Sequence, residues 1–376
     1  MPHNLPPDAT GVITIDLDAV QANWRALAAL VAPAECAAVV KADAYGLGAS
    51  EIIPALVLAG CRTFFVATPE EGRAARLLAP DARLFALDGL FPGAGPLLLA
   101  ADVAPVLSSL SEVEEWARES FRVGRPVPAA LQIDSGLNRL GLSSADVKAL
   151  AGKPALLKAL DLRLVMSHLA CADDPSDAHN ARQRAAFNRR RALLPDVPAS
   201  LAASDGLMLG PAYHFDLVRP GYAVYGGQAF RGGPTPVTPV VTVRARILQV
   251  RTLKAGENVG YSASWAAKRP TRLAVVAAGY ADGIARTLSV ASGKKGAHVL
   301  VAGQKAPIVG RISMDLITVD VTDVDGEIRR GELATLIGPG LPIEAMGRAA
   351  GTIGYEVLTR LGPRFVRRHT GGGRLA

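Results

Sequence analysis

The sequence has few cysteines and no long apolar segment. Of its 376 residues only three are cysteines, and they are widely spaced with no CxxC pair: Cys36, Cys61 and Cys171. This set predicts neither a disulfide framework nor a zinc site, so we expect three small buried hydrophobic residues and no metal. No run approaches the roughly eighteen uncharged apolar residues of a membrane helix. The start, MPHNLPPDAT, lacks the pattern of a signal peptide, so a cytoplasmic location is expected.

The formal charge of +7 raises the question of nucleic-acid binding. A basic cluster of five arginines lies near one helix: Arg182, Arg184, Arg189, Arg190 and Arg191. No nucleic-acid motif or interleaved aromatic row accompanies it, so we interpret it as a solvated helix face and expect no nucleic-acid partner. The C-terminal residues 364–374, which include three glycines, are predicted to be a loose end.

The length and the apolar fraction of 49% suffice for two domains with large cores. In the first part of the chain, short apolar runs alternate with helical stretches. Eight strand candidates follow this pattern, over residues 36–40, 63–67, 83–87, 103–107, 129–133, 162–167, 201–203 and 216–219. Eight strand-then-helix units predict a parallel (β/α)8 barrel of the TIM type, since each crossover is right-handed and the ring closes at eight.

Capping motifs mark the starts of two helices in this region. Thr68 is followed by Pro69 and Glu71, so we expect the threonine to cap the helix and the glutamate to reach back to free amides. The run Ser111-Glu112-Val113-Glu114 is predicted to repeat the device.

The period changes after the Gly- and Pro-rich residues 232–236. Residues 241–247 alternate apolar and polar, which is typical of a half-exposed antiparallel strand, and residues 273–278, 298–302 and 316–321 continue in that style. We therefore predict a barrel domain over residues 1–236 and a mainly antiparallel β domain over residues 237–376. Residues 10–17 are also strand-like, and the sequence leaves open whether they pair with the β domain.

Lys41 lies where the apolar run 36–40 opens into a turn that contains Gly46 and Gly48. An amine that follows a run of apolar residues is partly desolvated, which lowers its pKa and makes it a better nucleophile towards carbonyl compounds. Lys41 is therefore a candidate Schiff-base site. Polar side chains also follow later strand candidates: Asp134, Arg139, His168, Ser204 and Arg219. The working residues of such a barrel gather at the C-terminal ends of its strands, so we predict catalysis at that face.

Eight segments follow one another between Lys41 and Arg360: VVKADAYGLG, IDSGLNRLG, MSHLA, RPGYAVYG, VGYSASW, GYADG, GRISMD and GTIGYEVLTR. In order and approximate spacing they resemble the signature segments of the alanine racemase family. The resemblance implies a pyridoxal-phosphate-dependent homodimer with shared active sites, built from a barrel and a β domain. It also implies racemisation of L-alanine and D-alanine, which supplies D-alanine for peptidoglycan or L-alanine for catabolism.

The resemblance assigns two bases. Lys41 matches the lysine that holds the cofactor and acts on one face of the substrate Cα, and Tyr261 of the partner subunit matches the base of the opposite face. Racemisation needs this arrangement, because a proton removed from one face must be replaced on the other. A tyrosine needs a cation nearby to act as a base, and His168 and Arg219 are the expected sources of positive charge.

Arg219 also matches the arginine that faces the pyridine nitrogen of the cofactor. A guanidinium does not protonate that nitrogen, which should disfavour transamination. The resemblance implies further cofactor-binding residues: Tyr45, His168, Ser204, Gly221, Tyr222 and Tyr355, with Tyr222 acting mainly through its backbone. For the substrate, Arg139 matches the arginine that binds the carboxylate, Met314 and Asp315 match a segment that meets it from the second subunit, and Tyr280 and Tyr355 match two tyrosines that narrow the entrance.

Three positions depart from the family pattern. Gln132 stands where many members carry a lysine, often carbamylated, so a neutral amide is expected to orient Arg139 by hydrogen bonding. Leu47 replaces a common histidine, and Ala203 stands where an asparagine is frequent.

Other activities remain open on the sequence alone. Serine, or a broader set of small amino acids, is an alternative substrate, because one hydroxyl is a small change for a pocket. A non-catalytic pyridoxal-phosphate carrier would lack the second domain, and Tyr261 and Asp315 argue against it. A decarboxylase of related architecture would place an acid, rather than Arg219, at the pyridine nitrogen. It would also carry a cysteine motif in the second domain, which has no cysteine in this sequence.

Overall fold

A computed structural model of the chain describes residues 5–294 and 296–373. Within them the chain forms two compact units. The first, which we call the barrel unit, consists of residues 19–238 with residues 372 and 373. The second, which we call the β unit, consists of residues 5–18 and 239–371.

The barrel unit is built on a curled parallel sheet. Seven strands pair in sequence order: Ala38–Val39, Thr63–Val66, Arg83–Ala86, Ala104–Leu107, Val127–Gln132, Leu160–Met166 and Ala199–Ser200. Their side chains are almost all buried, as expected of parallel strands covered on both faces. The rings of Phe65 and Phe85 stack with centroids 5.0 Å apart.

The eighth strand of the barrel connects the two edges of this sheet. Leu217–Val218 pairs in parallel with Glu35–Cys36, just before the first strand. On its other side, the amide of Asp216 donates to the carbonyl of Ala199 at 3.1 Å, and that of Arg219 to Ala202 at 2.9 Å. The predicted barrel is thus confirmed, although the seventh strand is Ala199–Ser200 rather than 201–203.

The helix Leu17–Val31 precedes the first strand of the barrel. The other helices follow its strands: Ala49–Ala59, Pro69–Leu78, Gly95–Ala100, Leu110–Val123, Ser144–Ala151, Pro154–Ala159 and Ala178–Arg191. The predicted cap at Thr68 is confirmed, because its hydroxyl accepts from the amide of Glu71 at 3.2 Å. The predicted cap at Ser111 is wrong. Ser109 caps that helix and accepts from the amide of Glu112, since this spacing puts Glu112 at the position that reaches back.

The β unit is a mainly antiparallel sheet of eight strands. In spatial order they are Thr271–Val276, Ile317–Asp320, Gln304–Val309, His298–Val301, Leu333–Ile337, Val241–Leu253, Gly11–Asp16 and Val366–Thr370. Val241–Leu253 also pairs with Thr271–Val276, and its pairing with Gly11–Asp16 is antiparallel. A short hairpin, Asn258–Val259 with Trp265–Ala266, and the helices Ile343–Ala350 and Gly354–Thr359 complete the unit.

The C-terminal segment is not a loose end. Val366–Thr370 pairs in parallel with Gly11–Asp16, and the preceding Phe365 is 1% exposed. The prediction for residues 364–373 was therefore wrong, because glycine content and charge do not reveal a strand whose partner lies at the other end of the chain. Arg374 lies outside the described residues.

Two other expectations need adjustment. Cys36 and Cys61 are buried as predicted, but Cys171 is only half-buried. The arginine cluster is not simply a solvated face: the guanidinium of Arg184 lies over the ring of Tyr213 at 4.8 Å, and that of Arg191 over Phe215 at 5.5 Å. No helix within residues 5–294 or 296–373 is long and apolar enough to cross a bilayer.

Candidate active site

The half-buried Lys41 opens an unusual turn at the end of the first strand of the barrel. The four residues that follow it, Ala42 to Tyr45, have φ between 52° and 60° and ψ between 33° and 51°. This is a left-handed turn made without glycine, a conformation that non-glycine residues rarely adopt in succession. Asp43 Oδ1 accepts from the amide of Ala49 at 2.7 Å and ties the turn to the next helix.

Arg219 is a cation buried in the barrel unit, 3% exposed. Its guanidinium donates to the hydroxyl of Ser200 and, at 2.6 Å, to the carbonyl of Ser167. Both acceptors are neutral, and no carboxylate of the described residues forms an ion pair with it. Burial lowers the pKa of Arg219 to about 9, which still leaves the side chain protonated at neutral pH.

His168 lies among three positive charges. Its pKa is lowered to about 3, first by burial and then by Arg219, Arg139 and Lys41. Lys41, Arg139 and Arg219 are thus close enough to His168 to act on its pKa, and each of the four residues follows a strand of the barrel. With its pKa lowered to about 3, the imidazole is neutral near pH 7.

A small cradle of donors forms where the last barrel strand ends. Ser204 Oγ accepts from the amides of Gly221 and Ala223, each at 3.1 Å. A Cβ at position 221 would lie 2.3 Å from Tyr45 Oη, so only glycine permits this approach of the phenol. Tyr222 is 1% exposed and packs its ring against Gly227. Of the departures from the family pattern, Leu47 is fully buried and Ala203 forms a bridge with Arg219.

Asp134 shapes the loop that carries Arg139. Its Oδ1 accepts from three successive amides, those of Gly136, Leu137 and Asn138, at 3.0 to 3.1 Å. Gln132 was expected to orient Arg139 directly. Instead its Nε2 donates to the carbonyl of Leu140 at 3.0 Å, so this amide fixes the backbone beside Arg139 and leaves the guanidinium exposed.

The remaining predicted residues belong to the β unit. Tyr261 is 70% exposed and lies in a one-turn helix whose next two residues have positive φ. Tyr280 and Met314 are 41% and 53% exposed. Their segments adjoin, because the amide of Ala281 donates to the carbonyl of Met314 at 2.9 Å. Tyr355 is half-buried on the helix Gly354–Thr359.

Sequence reasoning missed residues that hold the predicted ones in place. Gln183, fully buried, donates to the carbonyl of His168 at 3.0 Å and accepts from the amide of Ala170 at 2.8 Å. The sequence predicts only a helix-capping role for Glu71. In the structure its Oε1 accepts from the amide of Ala42 at 2.8 Å. No local pattern could identify these contacts, since the partners are far apart along the chain.

Comparison with known proteins gives a consistent result over nearly the whole chain. Residues 15–229 match the family model "Alanine racemase, N-terminal domain" and residues 240–369 match "Alanine racemase, C-terminal domain". The chain is 49% identical to an alanine racemase of Methylobacterium nodulans over 97% of each protein. It is 44% identical to a catabolic alanine racemase of Mesorhizobium japonicum, over 97% of this chain and 94% of that protein.

Solved structures agree. The crystal structure of an alanine racemase from Bartonella henselae with covalently bound pyridoxal phosphate superposes with a TM-score of 0.92 at 43% identity, covering 96% of this chain and all of that one. A biosynthetic alanine racemase from Pseudomonas aeruginosa gives a TM-score of 0.85 at 32% identity. The two family models together, the relatives and the solved structures each match nearly the whole chain. The chain belongs to the alanine racemase family.

Proposed function

We propose that this protein interconverts L-alanine and D-alanine, with pyridoxal phosphate as its cofactor. The observation that carries the proposal is that Lys41, Arg139 and Arg219 all lie close enough to His168 to lower its pKa, in a chain that belongs to this family. Such a cluster offers an amine, a carboxylate-binding arginine and a buried cation at one end of a barrel.

The residues of the barrel unit suit pyridoxal phosphate. The Ser204 hydroxyl, the close approach of Tyr45 Oη to Gly221 and the nearby amides form a small polar cradle that fits a phosphate. Arg219, a buried cation with neutral partners, has the charge to face an acceptor such as a ring nitrogen. Lys41, Tyr45, His168, Ser204, Arg219, Gly221 and Tyr222 would hold the group. When bound, it would withdraw electrons from the substrate Cα and make its proton acidic.

Two side chains would then move the proton. Lys41 Nζ would take it from one face of Cα, and the Tyr261 hydroxyl of the partner subunit would return one to the other face, with the roles reversed for the other enantiomer. Arg219 keeps its own proton at neutral pH, so it stabilises charge without entering the exchange. Its positive charge, rather than that of His168, would assist the phenol.

The substrate carboxylate would be bound by Arg139 of one subunit and by the segment Met314–Asp315 of the partner subunit. Neither Met314 nor Asp315 donates its amide to an acceptor in the described part of the chain, so both N–H groups are available to an anion. Tyr280 and Tyr355 would narrow the entrance and favour a side chain as small as a methyl group.

A homodimer with shared sites accounts for the exposure of these groups. A base acts in a water-poor site, whereas Tyr261 is 70% exposed on a single chain. A second copy of the chain would cover it. The three free cysteines suit a reducing compartment, which supports the cytoplasm as the location. D-alanine for peptidoglycan or L-alanine for catabolism would be the product in the cell.

The first test is chiral analysis of L-alanine and, separately, L-serine after incubation with the purified protein and pyridoxal phosphate. The Lys41→Ala variant is the control, since it removes one of the two bases. We expect alanine to approach equal amounts of the two enantiomers with the wild-type protein and to stay in the L form with the variant.

The serine arm ranks the alternatives. Faster racemisation of serine than of alanine would identify a serine racemase on the same scaffold. Unchanged L-alanine and L-serine from a folded, cofactor-loaded dimer would reject a racemase of these two amino acids and point to a carrier role.

A further inference from the structure

Arg364 makes three charged hydrogen bonds to two aspartates of the β unit. Its Nε and Nη2 donate to the two oxygens of Asp282, each at 2.7 Å, and its Nη1 donates to Asp315 Oδ1 at 2.6 Å. The bond to Asp282 is bidentate, the geometry in which a guanidinium restricts a carboxylate most strongly.

Asp282 is a fixed anchor for this arrangement. Its side chain is 1% exposed, and its Oδ2 also accepts from the amide of Gly279 at 2.8 Å. By contrast, the side chains of Arg364 and Asp315 are 40% and 57% exposed. The buried carboxylate therefore sets the position of the guanidinium, and the guanidinium sets that of the exposed carboxylate.

The two aspartates belong to neighbouring segments that carry predicted substrate residues. Asp282 ends the turn Tyr280–Asp282, and Asp315 follows Met314. Backbone hydrogen bonds join the segments, since the amide of Tyr280 donates to the carbonyl of Ser313 at 3.1 Å. A Cβ at Gly279 would lie 2.2 Å from the carbonyl of Met314, so the backbones approach closely. Arg364 links the same segments through side chains.

The charge of this cluster decides what the segment can offer an anionic substrate. Two carboxylates and one guanidinium leave one net negative charge, so the side chains would repel a carboxylate. The attractive groups are the backbone amides of Met314 and Asp315, which have no acceptor within the described residues. These amides belong to the same segment as the Asp315 carboxylate that Arg364 binds.

We propose that Arg364 is a positioning residue for the substrate carboxylate. It clamps Asp315 to the buried Asp282 and so fixes the amides of residues 314 and 315 and the ring of Tyr280 relative to each other. This inference rests on the proposed function, because that function assigns Met314, Asp315 and Tyr280 to substrate binding. Arg364 itself touches no reacting atom.

The test compares Arg364→Ala, Arg364→Lys and Asp282→Asn with wild type, all loaded with cofactor. Arg329→Ala is the matched control, since it removes an exposed ion pair of the same unit, to Glu327 at 2.6 Å. We expect Arg364→Ala to raise KM for L-alanine about tenfold or more while kcat changes less than about threefold, because a lost positioning contact weakens uniform binding. Arg364→Lys should fall between, since an ammonium cannot bond both aspartates as a fork does.

A second readout does not depend on activity. Amide hydrogen exchange should accelerate in peptides covering residues 279–283 and 313–316 of the Arg364 variants, and Arg329→Ala should leave them unchanged. Unaltered exchange in these peptides, or an unaltered KM, would overturn the proposal. A fall in kcat as large as the rise in KM, together with lower thermal stability and faster exchange throughout the β unit, would also overturn it. A merely structural arginine would give that result.

Two complications have defined answers. If Arg364→Ala does not fold because Asp282 is left buried and unpaired, Arg364→Lys and Asp282→Asn decide by the same criteria. If the wild-type protein does not racemise alanine, the proposed function fails by itself, and unchanged exchange in the two peptides would overturn the clamp as well.

Discussion

Arg219 and His168 divide between them the electrostatics of the predicted site. Burying a guanidinium with only neutral acceptors is costly, and the hydrogen bonds to Ser200 and Ser167 offset the cost only in part. The imidazole beside it responds by staying neutral. The site therefore holds a permanent cation and an uncharged ring, and such a pair suits a ligand that brings its own negative charge.

The lowered pKa of His168 predicts a loss of stability in acid. The unfolded chain binds a proton on this residue below its ordinary pKa of 6.5, whereas the folded chain binds it only below about 3. Stability contributed by the neutral ring is thus complete above pH 6.5 and falls as the pH drops from 6.5 towards 3. At pH 5 we expect the loss to be about 1 to 2 kcal/mol relative to pH 7.

Urea unfolding at pH 7 and pH 5 measures this effect. His168→Gln should lose less stability than wild type between the two pH values, because it carries no titrating ring. His298→Gln, which changes an exposed histidine of the β unit, is the control and should behave as wild type. The same pH dependence in the wild type and in His168→Gln would contradict the assigned cause.

The turn after Lys41 is a strained element held from outside. Left-handed helical backbone costs about 1 to 2 kcal/mol for each residue that is not glycine, and four such residues follow one another here. Glu71 supplies part of the compensation. Its two oxygens accept from the amides of Ala42 and Ala67, at 2.8 and 2.7 Å, and so join the turn to the end of the next strand.

We expect Glu71→Ala to loosen the Lys41 turn. Two backbone amides lose their acceptor, which should cost about 1 to 3 kcal/mol of stability and speed hydrogen exchange at residues 42–46. Glu71→Gln keeps one amide oxygen and should recover part of the loss. The control is Glu70→Ala, an exposed neighbour in the same first turn of the helix. Equal exchange in the Glu70 and Glu71 variants would show that the turn is held by other contacts.

The same device recurs two strands further around the barrel. Glu112, in the first turn of Leu110–Val123, accepts from the amide of Ser108 at 2.7 Å and from that of Leu90 at 3.2 Å. Each glutamate thus binds the backbone just before its own helix and also the loop after the preceding strand. In both cases one glutamate side chain therefore joins the start of a helix to a loop at the C-terminal face of the barrel.

Phe365 introduces the last strand of the β unit and anchors it. The ring is 1% exposed, and a Cβ at Gly11 would lie 2.7 Å from it, so the strand Gly11–Asp16 packs closely against the ring. Phe365→Ala should reduce the free energy of unfolding by about 3 to 5 kcal/mol, the cost of deleting a buried aromatic ring. Phe121→Ala, whose ring is 69% exposed, is the matched control and should change it little. Comparable urea midpoints for the two variants would contradict this role.

The proposed sharing of the active site between subunits predicts how mixed dimers behave. Lys41→Ala and Tyr261→Phe chains are each expected to be nearly inactive alone. If Lys41 of one subunit works with Tyr261 of the other, a heterodimer of the two variants has one intact site, and co-refolding should restore part of the alanine racemisation. A mixture of Lys41→Ala with the Lys41→Ala, Tyr261→Phe double variant is the control and should restore none. No recovery in the first mixture, with heterodimers detected by mass, would place both bases in one subunit.

Much of the architecture follows from local patterns. Buried apolar runs located seven of the eight barrel strands to within about two residues, a precision typical of such boundaries, and placed the seventh just after Ala199–Ser200. Alternation located Val241–Leu253 and three more strands of the β unit, and the Thr68 cap lies where its spacing indicated. Local patterns missed Gln304–Val309, Leu333–Ile337 and Val366–Thr370, which are short and depend on their neighbours for burial.

The sequence by itself determined the order of the elements, the family and the residue types at the ends of the barrel strands, because hydrophobic period, caps and motifs are local properties of the chain. Only the tertiary structure decided that His168 is neutral, that Gln132 holds a backbone carbonyl, that Glu71 supports the turn after Lys41 and that Arg364 joins Asp282 to Asp315. The partners in these contacts lie between 8 and 82 residues apart, as with Gln132 and Leu140 or Arg364 and Asp282. Burial and charge proximity arise only after folding brings such residues together, and no local pattern encodes them.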